Sequence, residues 1–392
     1  MYDVLVPKSS SEKESSPITP ADMFIAYMLL HMNVQSQSPP SDARRSDPGT
    51  VSDRLGRPCD ILGAAGNPCV AAHSTVRALY AKYSGPLYRV SRRDGRDINI
   101  TPLQPGGFAN VTDQETFCAA GDCNITKIYD QSPNGNHLGQ RISCVPGQGC
   151  VYHKMVNASK HRISVRGGTE VYGMWLDPGY GYNVDVTTGV AKGNEPESIY
   201  AVMSGTHYNG HCCFDYGNSE NNQNVPWEGG AGAMEAIYFG NAAWHGNRGV
   251  GEGPWAGADL EAGMYYGGGE QTIVNNQSMP LTSDFVSLHL KGRTDGFALK
   301  GGDATKGPLA TTYDGPRPDP KLSCCVRPPW HYQPMLKQGA IILGTGGDNS
   351  NGAEGNFYEG YIASGVTSDA TDDAIQANII AVGYKTLGLP TQ

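Results

Sequence analysis

The sequence predicts an all-β fold, a β-sandwich or jelly roll with one or two short helices. Three observations carry that reading. Glycine (52 residues) and proline (26) punctuate a chain of 392 residues, which favours many turns over long helices. Short runs rich in β-branched and aromatic residues recur along it, each bounded by Gly, Asn or Asp. Between Cys59 and about Leu387 there is no repeat and no linker long enough to divide the chain, so residues 57–388 read as one large domain and 389–392 as a tail.

In chain order, residues 1–56 read as a segment outside the domain. The run "MFIAYMLLHM" (23–32) is too short to span a bilayer but has the length of a signal-peptide core. The Pro/Ser-rich stretch after it suits a disordered linker. The clearest helix signal is "CVAAHSTVRALYAKYSG" (69–85), with apolar residues at helical spacing and Gly85 as a stop. Strands are expected at "SIYAVMSG", "MEAIYFG", "FVSLHLKG", "AIILGTG" and "FYEGYIASG". A second helix is expected over 371–388, with Thr371 and Asp372 as caps and Gly388 as its end.

A net charge of −9 argues against nucleic acid as a partner. The ten cysteines are ordered as local pairs: Cys59 with Cys69, Cys118 with Cys123, Cys144 with Cys150. Two further pairs are adjacent, Cys212–Cys213 and Cys324–Cys325. No metal site is expected, because no cysteine pair has a second half or histidine partner at zinc spacing. Sequons at Asn99, Asn110, Asn124, Asn157 and Asn276, together with the even cysteine count, favour an extracellular, secreted protein. Adjacent cysteines are awkward partners: a trans peptide fixes their Cα atoms about 3.8 Å apart, whereas disulfides prefer roughly 4.4–6.8 Å.

Neither a nucleotide-binding glycine loop nor a GxSxG elbow is present, so carboxylates are the candidate chemistry. Asp259 and Glu261 in "ADLEAG" are two apart and, on a strand, share a face, where paired acids repel unless a function offsets the cost. Asp348 lies in "GTGGDNSNG", a glycine-rich loop that lets backbone approach a ligand. Glu235 and Asp130 complete the shortlist. Two acids and some aromatics suffice for glycoside hydrolysis without any cofactor.

The long segments "PCDILGAAGNPCVAAHSTVRALY", "KIYDQSPNGNHL", "GTHYNGHCCFDYGN", "GAMEAIYFGN", "GPWAGADLEAG" and "GAIILGTGGDNSNGAEGNFYEG" occur in family order over about residues 58–388. In these the chain resembles the catalytic domain of glycoside hydrolase family 54, the B-type α-L-arabinofuranosidases. The resemblance implies a concanavalin-like β-sandwich and retaining hydrolysis of terminal arabinofuranosyl groups on arabinan or arabinoxylan, by a protein expected to be a monomer with no membrane partner. It puts the nucleophile on Glu261 and the acid/base on Asp348. The sugar pocket falls on the Cys212–Cys213 disulfide, Met234, Trp244, Asp259 and Gly347. The disulfide's sulfurs would offer a rigid, apolar edge to the furanose without loss of side-chain entropy. Cys59–Cys69 and Cys118–Cys123 also match the family.

The implied mechanism needs Glu261 ionised and Asp348 protonated, and charge on the first helps hold the proton on the second. Retention implies carboxyl groups roughly 5–5.5 Å apart. Residues 141–171 follow the family poorly, so Cys144–Cys150 rests on order alone, and 320–335 reads as an insertion. Members often carry a C-terminal β-trefoil that binds arabinofuranosyl groups. This sequence ends at "LGLPTQ" without one, so weaker grip on insoluble polymer is expected. The competing readings are a catalytically silent sugar-binding sandwich and a related exo-glycosidase acting on β-xylosides.

Overall fold

Two antiparallel sheets stack face to face in the structure, a computed structural model that describes residues 56–145, 149–221, 230–243, 247–268, 273–318 and 331–387. The expectations for residues 1–55, Trp244, Cys324–Cys325 and the C-terminal tail lie outside the described residues.

The nine-stranded sheet runs Ala310–Gly315, Phe297–Asp303, Val286–Gly292, Glu197–Tyr208, Gly355–Ser364, Glu170–Leu176, His161–Ser164, Lys385–Thr386. Its ninth strand, Cys69–Ser74, also pairs with Gly355–Ser364. The ten-stranded sheet starts with Met264–Tyr265, Trp255–Asp259, Glu235–Gly240, Asp215–Ser219 and Ala340–Leu343. It continues with Tyr182–Val184, Leu138–Gln140, Cys123–Ile128, Tyr88–Arg92 and Asp97–Ile100. All five strand runs expected from sequence are strands. The sandwich is the predicted fold class.

Side chains from both inner faces fill the space between the sheets. Tyr216 packs over Gly360, where a methyl group would lie only 2.5 Å from its ring, so this glycine is required by close approach. Tyr216 also meets Phe357 with ring centroids 5.1 Å apart. A buried ion cluster bridges the layers: Lys337 Nζ lies 2.9 Å from Glu197 of one sheet and 2.8 Å from Glu235 of the other.

The helix expected over 69–85 is not formed. Residues Cys69–Ser74 are a strand buried at every position, and the rest of that segment runs through bends. A run covered on both faces loses the alternation that marks a strand, and its apolar spacing then reads equally as a helix. The C-terminal helix exists but spans Asp369–Ile380. Its cap is Ser368, whose hydroxyl accepts from Thr371 N, and residues Lys385–Thr386 pair as a strand with His161–Ser164. Two short helices, Pro58–Ala64 and Val111–Cys118, bring the α-helices among the described residues to three.

The structure pairs Cys59 with Cys69, Cys118 with Cys123, Cys144 with Cys150 and Cys212 with Cys213. Cys144 and Cys150 face each other across the hairpin Ile142–Val145 and Gly149–Tyr152.

Candidate active site

The site grows out of strand alternation. On Asp215–Ser219, Tyr216 packs on the opposite sheet and Asn218 donates to Glu197 there, so Asp215 projects from the outer face. On that face Cys213, Tyr238, Trp255, Met264 and Tyr266 form an apolar cluster with Cys212 at its margin. Asp259, last residue of Trp255–Asp259, reaches the same patch. Its Oδ2 lies 3.5 Å from Cys213 Sγ. The two sulfurs and this carboxylate sit close together, but disulfide sulfurs are not thiolates and do not act as a ligand pair.

Past Asp259 the chain turns sharply. Glu261 and Ala262 both adopt the left-handed region, at φ 58° and 60°. Non-glycine residues pay roughly 1–2 kcal/mol each to stay there. The turn is held by Asp259 Oδ1, which accepts from Glu261 N at 2.9 Å, and by Leu260 N donating to Gly263 O at 3.1 Å. Backbone strain held in this way is characteristic of functional positions.

The loop after Ala340–Leu343 closes over this turn. A methyl group on Gly347 would lie 3.1 Å from Met234 Sδ and from Glu220 Cγ, and 3.2 Å from Glu261 Oε2. One on Gly346 would lie 3.0 Å from Asp348 Oδ1 and 3.1 Å from Cys213 Sγ. The Gly346–Gly347 step therefore has Glu261 against one residue and Asp348, with a disulfide sulfur, against the other. Met234 is fully buried beneath it, whereas Asp348 is partly exposed. Asp348 Oδ1 accepts from Ser350 N at 2.9 Å.

Arg141 fastens that loop from below. Its Nη2 donates to Gly347 O at 2.7 Å and its Nε to Asn349 Oδ1 at 2.9 Å, gripping the residues on both sides of Asp348. The guanidinium is fully buried and faces Asp185, Glu220, Asp348 and Glu261, whose charges partly offset a burial that draws its pKa down to about 10. Around it the acids crowd. Burial, then the charges of Glu220, Asp259 and Asp348, push the Glu261 carboxyl well above the ordinary range. Asp259 is pushed up to about 7, chiefly by burial.

The structure thus brings together Cys212, Cys213, Met234, Asp259, Glu261, Gly347 and Asp348. Two shortlisted acids are committed elsewhere. Glu235 is buried in ion pairs with Arg317 and Lys337. Asp130 organises a turn, accepting from Ala72 N, Ser132 N, Ser132 Oγ and Asn136 N at 2.7–2.8 Å. Sequence reasoning missed Arg141, Asp215 and Glu220. Asp215 was within reach, standing two residues after the cysteine pair. Arg141 was not, since its partners lie more than two hundred residues away.

The profile of the family "Alpha-L-arabinofuranosidase B, catalytic" matches residues 58–385. The chain belongs to this family. A probable α-L-arabinofuranosidase B of Aspergillus clavatus is 47% identical over 340 residues, 85% of this chain and 63% of the relative. An arabinofuranosidase/B-xylosidase of Trichoderma koningii is 46% identical over 334 residues, with 83% and 63% covered. The crystal structure of an arabinofuranosidase complexed with arabinofuranosyl-α-1,2-xylobiose superposes with a TM-score of 0.75 at 44% identity, covering 84% of this chain and 66% of that one. The chain thus spans less than two thirds of the length of these relatives. The matched stretch contains every residue of the cluster described above.

Proposed function

We propose that this family member is a retaining, exo-acting α-L-arabinofuranosidase, releasing terminal arabinofuranosyl groups from substituted arabinan or arabinoxylan. The observation that carries the reading is the placement of two carboxyl groups against one glycine step, with a disulfide sulfur beside them. Glu261 is the nucleophile and Asp348 the acid/base. Glu261 attacks the anomeric carbon while Asp348 protonates the departing glycosidic oxygen. Asp348 then takes a proton from the water that frees the sugar, and the configuration is retained. Glu261 must be ionised for the first step in surroundings that favour its neutral form, so the proton has to reside on another carboxyl of the cluster. The Arg141 guanidinium, facing Glu220, Glu261 and Asp348, supplies the compensating charge.

Asp259 accepts hydrogen bonds from sugar hydroxyls, and the Cys212–Cys213 sulfurs pack against the furanose, with Gly347 and Met234 supporting the hollow. The four disulfides and the arabinofuranosidase relatives support secretion as the setting. The name of the Trichoderma koningii relative supports a second activity on β-xylosides.

The test is purified protein with an aryl α-L-arabinofuranoside, the first-formed sugar followed by proton NMR, beside Glu261→Gln and Asp348→Asn. Turnover with retained configuration is expected, falling by at least about a thousandfold in Glu261→Gln. Binding without turnover would instead favour a silent sugar-binding sandwich, and an inverted first product would rule out the double displacement. An aryl β-xyloside in parallel decides the second activity.

A further inference from the structure

The carboxyl group of Asp215 lies behind the proposed site and has no assigned part in the reaction. It is fully buried, and among the described residues no N–H, hydroxyl or cation reaches either of its oxygens. The two hydroxyls nearest in the apolar cluster are committed elsewhere. Tyr238 donates to His211 O and Tyr266 to Ala242 O. The charged group that weighs most on it is the Asp259 carboxyl, and the next facing it are Asp348 and Glu261.

A carboxylate in that position would be buried without a donor, against three other acids. Transfer of an unpaired charge into such a site costs so much that the group takes up a proton instead. Two buried carboxyl groups that face each other can hydrogen-bond only with a proton between them, since both are acceptors when ionised. Asp259 is the member that can carry the charge, because its Oδ1 already accepts from Glu261 N at 2.9 Å. Asp215 is then the donor.

We propose that Asp215 stays protonated throughout the working range and is a positioning residue: its hydroxyl donates to Asp259 and fixes the orientation in which Asp259 holds the strained turn carrying Glu261. The chain of contacts runs from the Asp215 hydroxyl to the Asp259 carboxylate, and from there to the Glu261 amide and to whatever sugar hydroxyl Asp259 accepts. The proton is structural and is not transferred during turnover. This inference rests on the proposed function for its kinetic consequence, but not for the protonation itself.

The experiment compares the full chain with Asp215→Leu and Asp215→Asn. Leucine removes the donor while filling the space; Asp259 loses one partner, a cost offset by no longer burying the Asp215 carboxyl itself. Its melting temperature is therefore expected to stay near the parent's, while kcat/KM falls by about a hundredfold through misplacement of the turn. Asparagine restores a donor, so it should recover kcat/KM to within about tenfold of the parent, with the limbs of the pH–rate profile unmoved. Infrared spectra should show a protonated-carboxyl C=O band in the parent that Asp215→Asn lacks.

A displacement of both limbs to lower pH in Asp215→Asn would show that a negative charge had been removed, and would overturn the proposal. So would full activity in Asp215→Leu, or absence of the infrared band from the parent. If Asp215→Leu fails to fold, the asparagine profile and the infrared band decide alone. If the parent lacks turnover, the proposed function fails, and the band still decides whether Asp215 holds its proton.

Discussion

Glu261 is held in surroundings that favour its neutral form, and this conflict leaves a mark on stability. A carboxyl group whose proton is bound more tightly in the folded than in the unfolded chain contributes stability below its unfolded value, near pH 4.3. That contribution is lost as pH rises towards the folded value. Burial and the charges of Glu220, Asp259 and Asp348 raise Glu261 in this sense. Glu261→Gln is therefore expected to melt higher than the parent at pH 8, with the gap closing towards pH 4. Thermal denaturation across that range checks it, and a gap that widens in acid would contradict the assignment. Arg141 makes the opposite case. Removing its two donations and its charge in Arg141→Met should lower kcat/KM by about a hundredfold. Arg141→Lys should restore little, because one ammonium cannot reproduce the forked contact to Gly347 and Asn349. Near-parent kinetics for the lysine variant would exclude that forked grip as the reason.

At the scale of elements, the sequence was most informative where one side of a strand differs from the other, or where glycine bounds a β-rich run. Val286–Gly292 and Gly355–Ser364 were legible through their bounding glycines, although both are buried along nearly their whole length. Cys69–Ser74 is buried likewise but has no glycine to close it, so its apolar spacing runs on into residues 75–85 and reads equally as a helix. The cap of the last helix was missed by three residues because Ser368, Thr371 and Asp372 are all competent caps, and only the fold selects Ser368. Among the site's elements, the turn at 259–263 has a cost that can be measured. Ala262 sits at φ 60°. Ala262→Gly relieves that conformation and should stabilise the protein by about 0.5–1 kcal/mol in urea unfolding, after allowance for the freer unfolded chain. Destabilisation would mean that contacts of the Ala262 methyl outweigh the strain.

For the whole molecule, a buried charge cluster adds to the packing that joins the two sheets. Lys337 bridges Glu197 and Glu235 across the layers. Lys337→Met leaves two buried carboxyl groups without their shared cation, which should cost about 3–5 kcal/mol in urea unfolding. A change below 1 kcal/mol would show that the cluster tolerates its loss. Nothing in the sequence around residue 337 announced this role, because the bridge exists only once distant strands are stacked. The catalytic proposal is of the same kind: Glu261 and Asp348 are 87 positions apart and meet only through the closing of the loop after Leu343. Its most direct test is to incubate Asp348→Asn with an arabinofuranoside bearing a good leaving group, then digest the protein and map it by mass spectrometry. The sugar should accumulate as an ester on Glu261, since departure of the aglycone no longer needs the acid whereas the second step still needs the base. An ester on any other residue, or none while aglycone is released in a burst, would contradict the account.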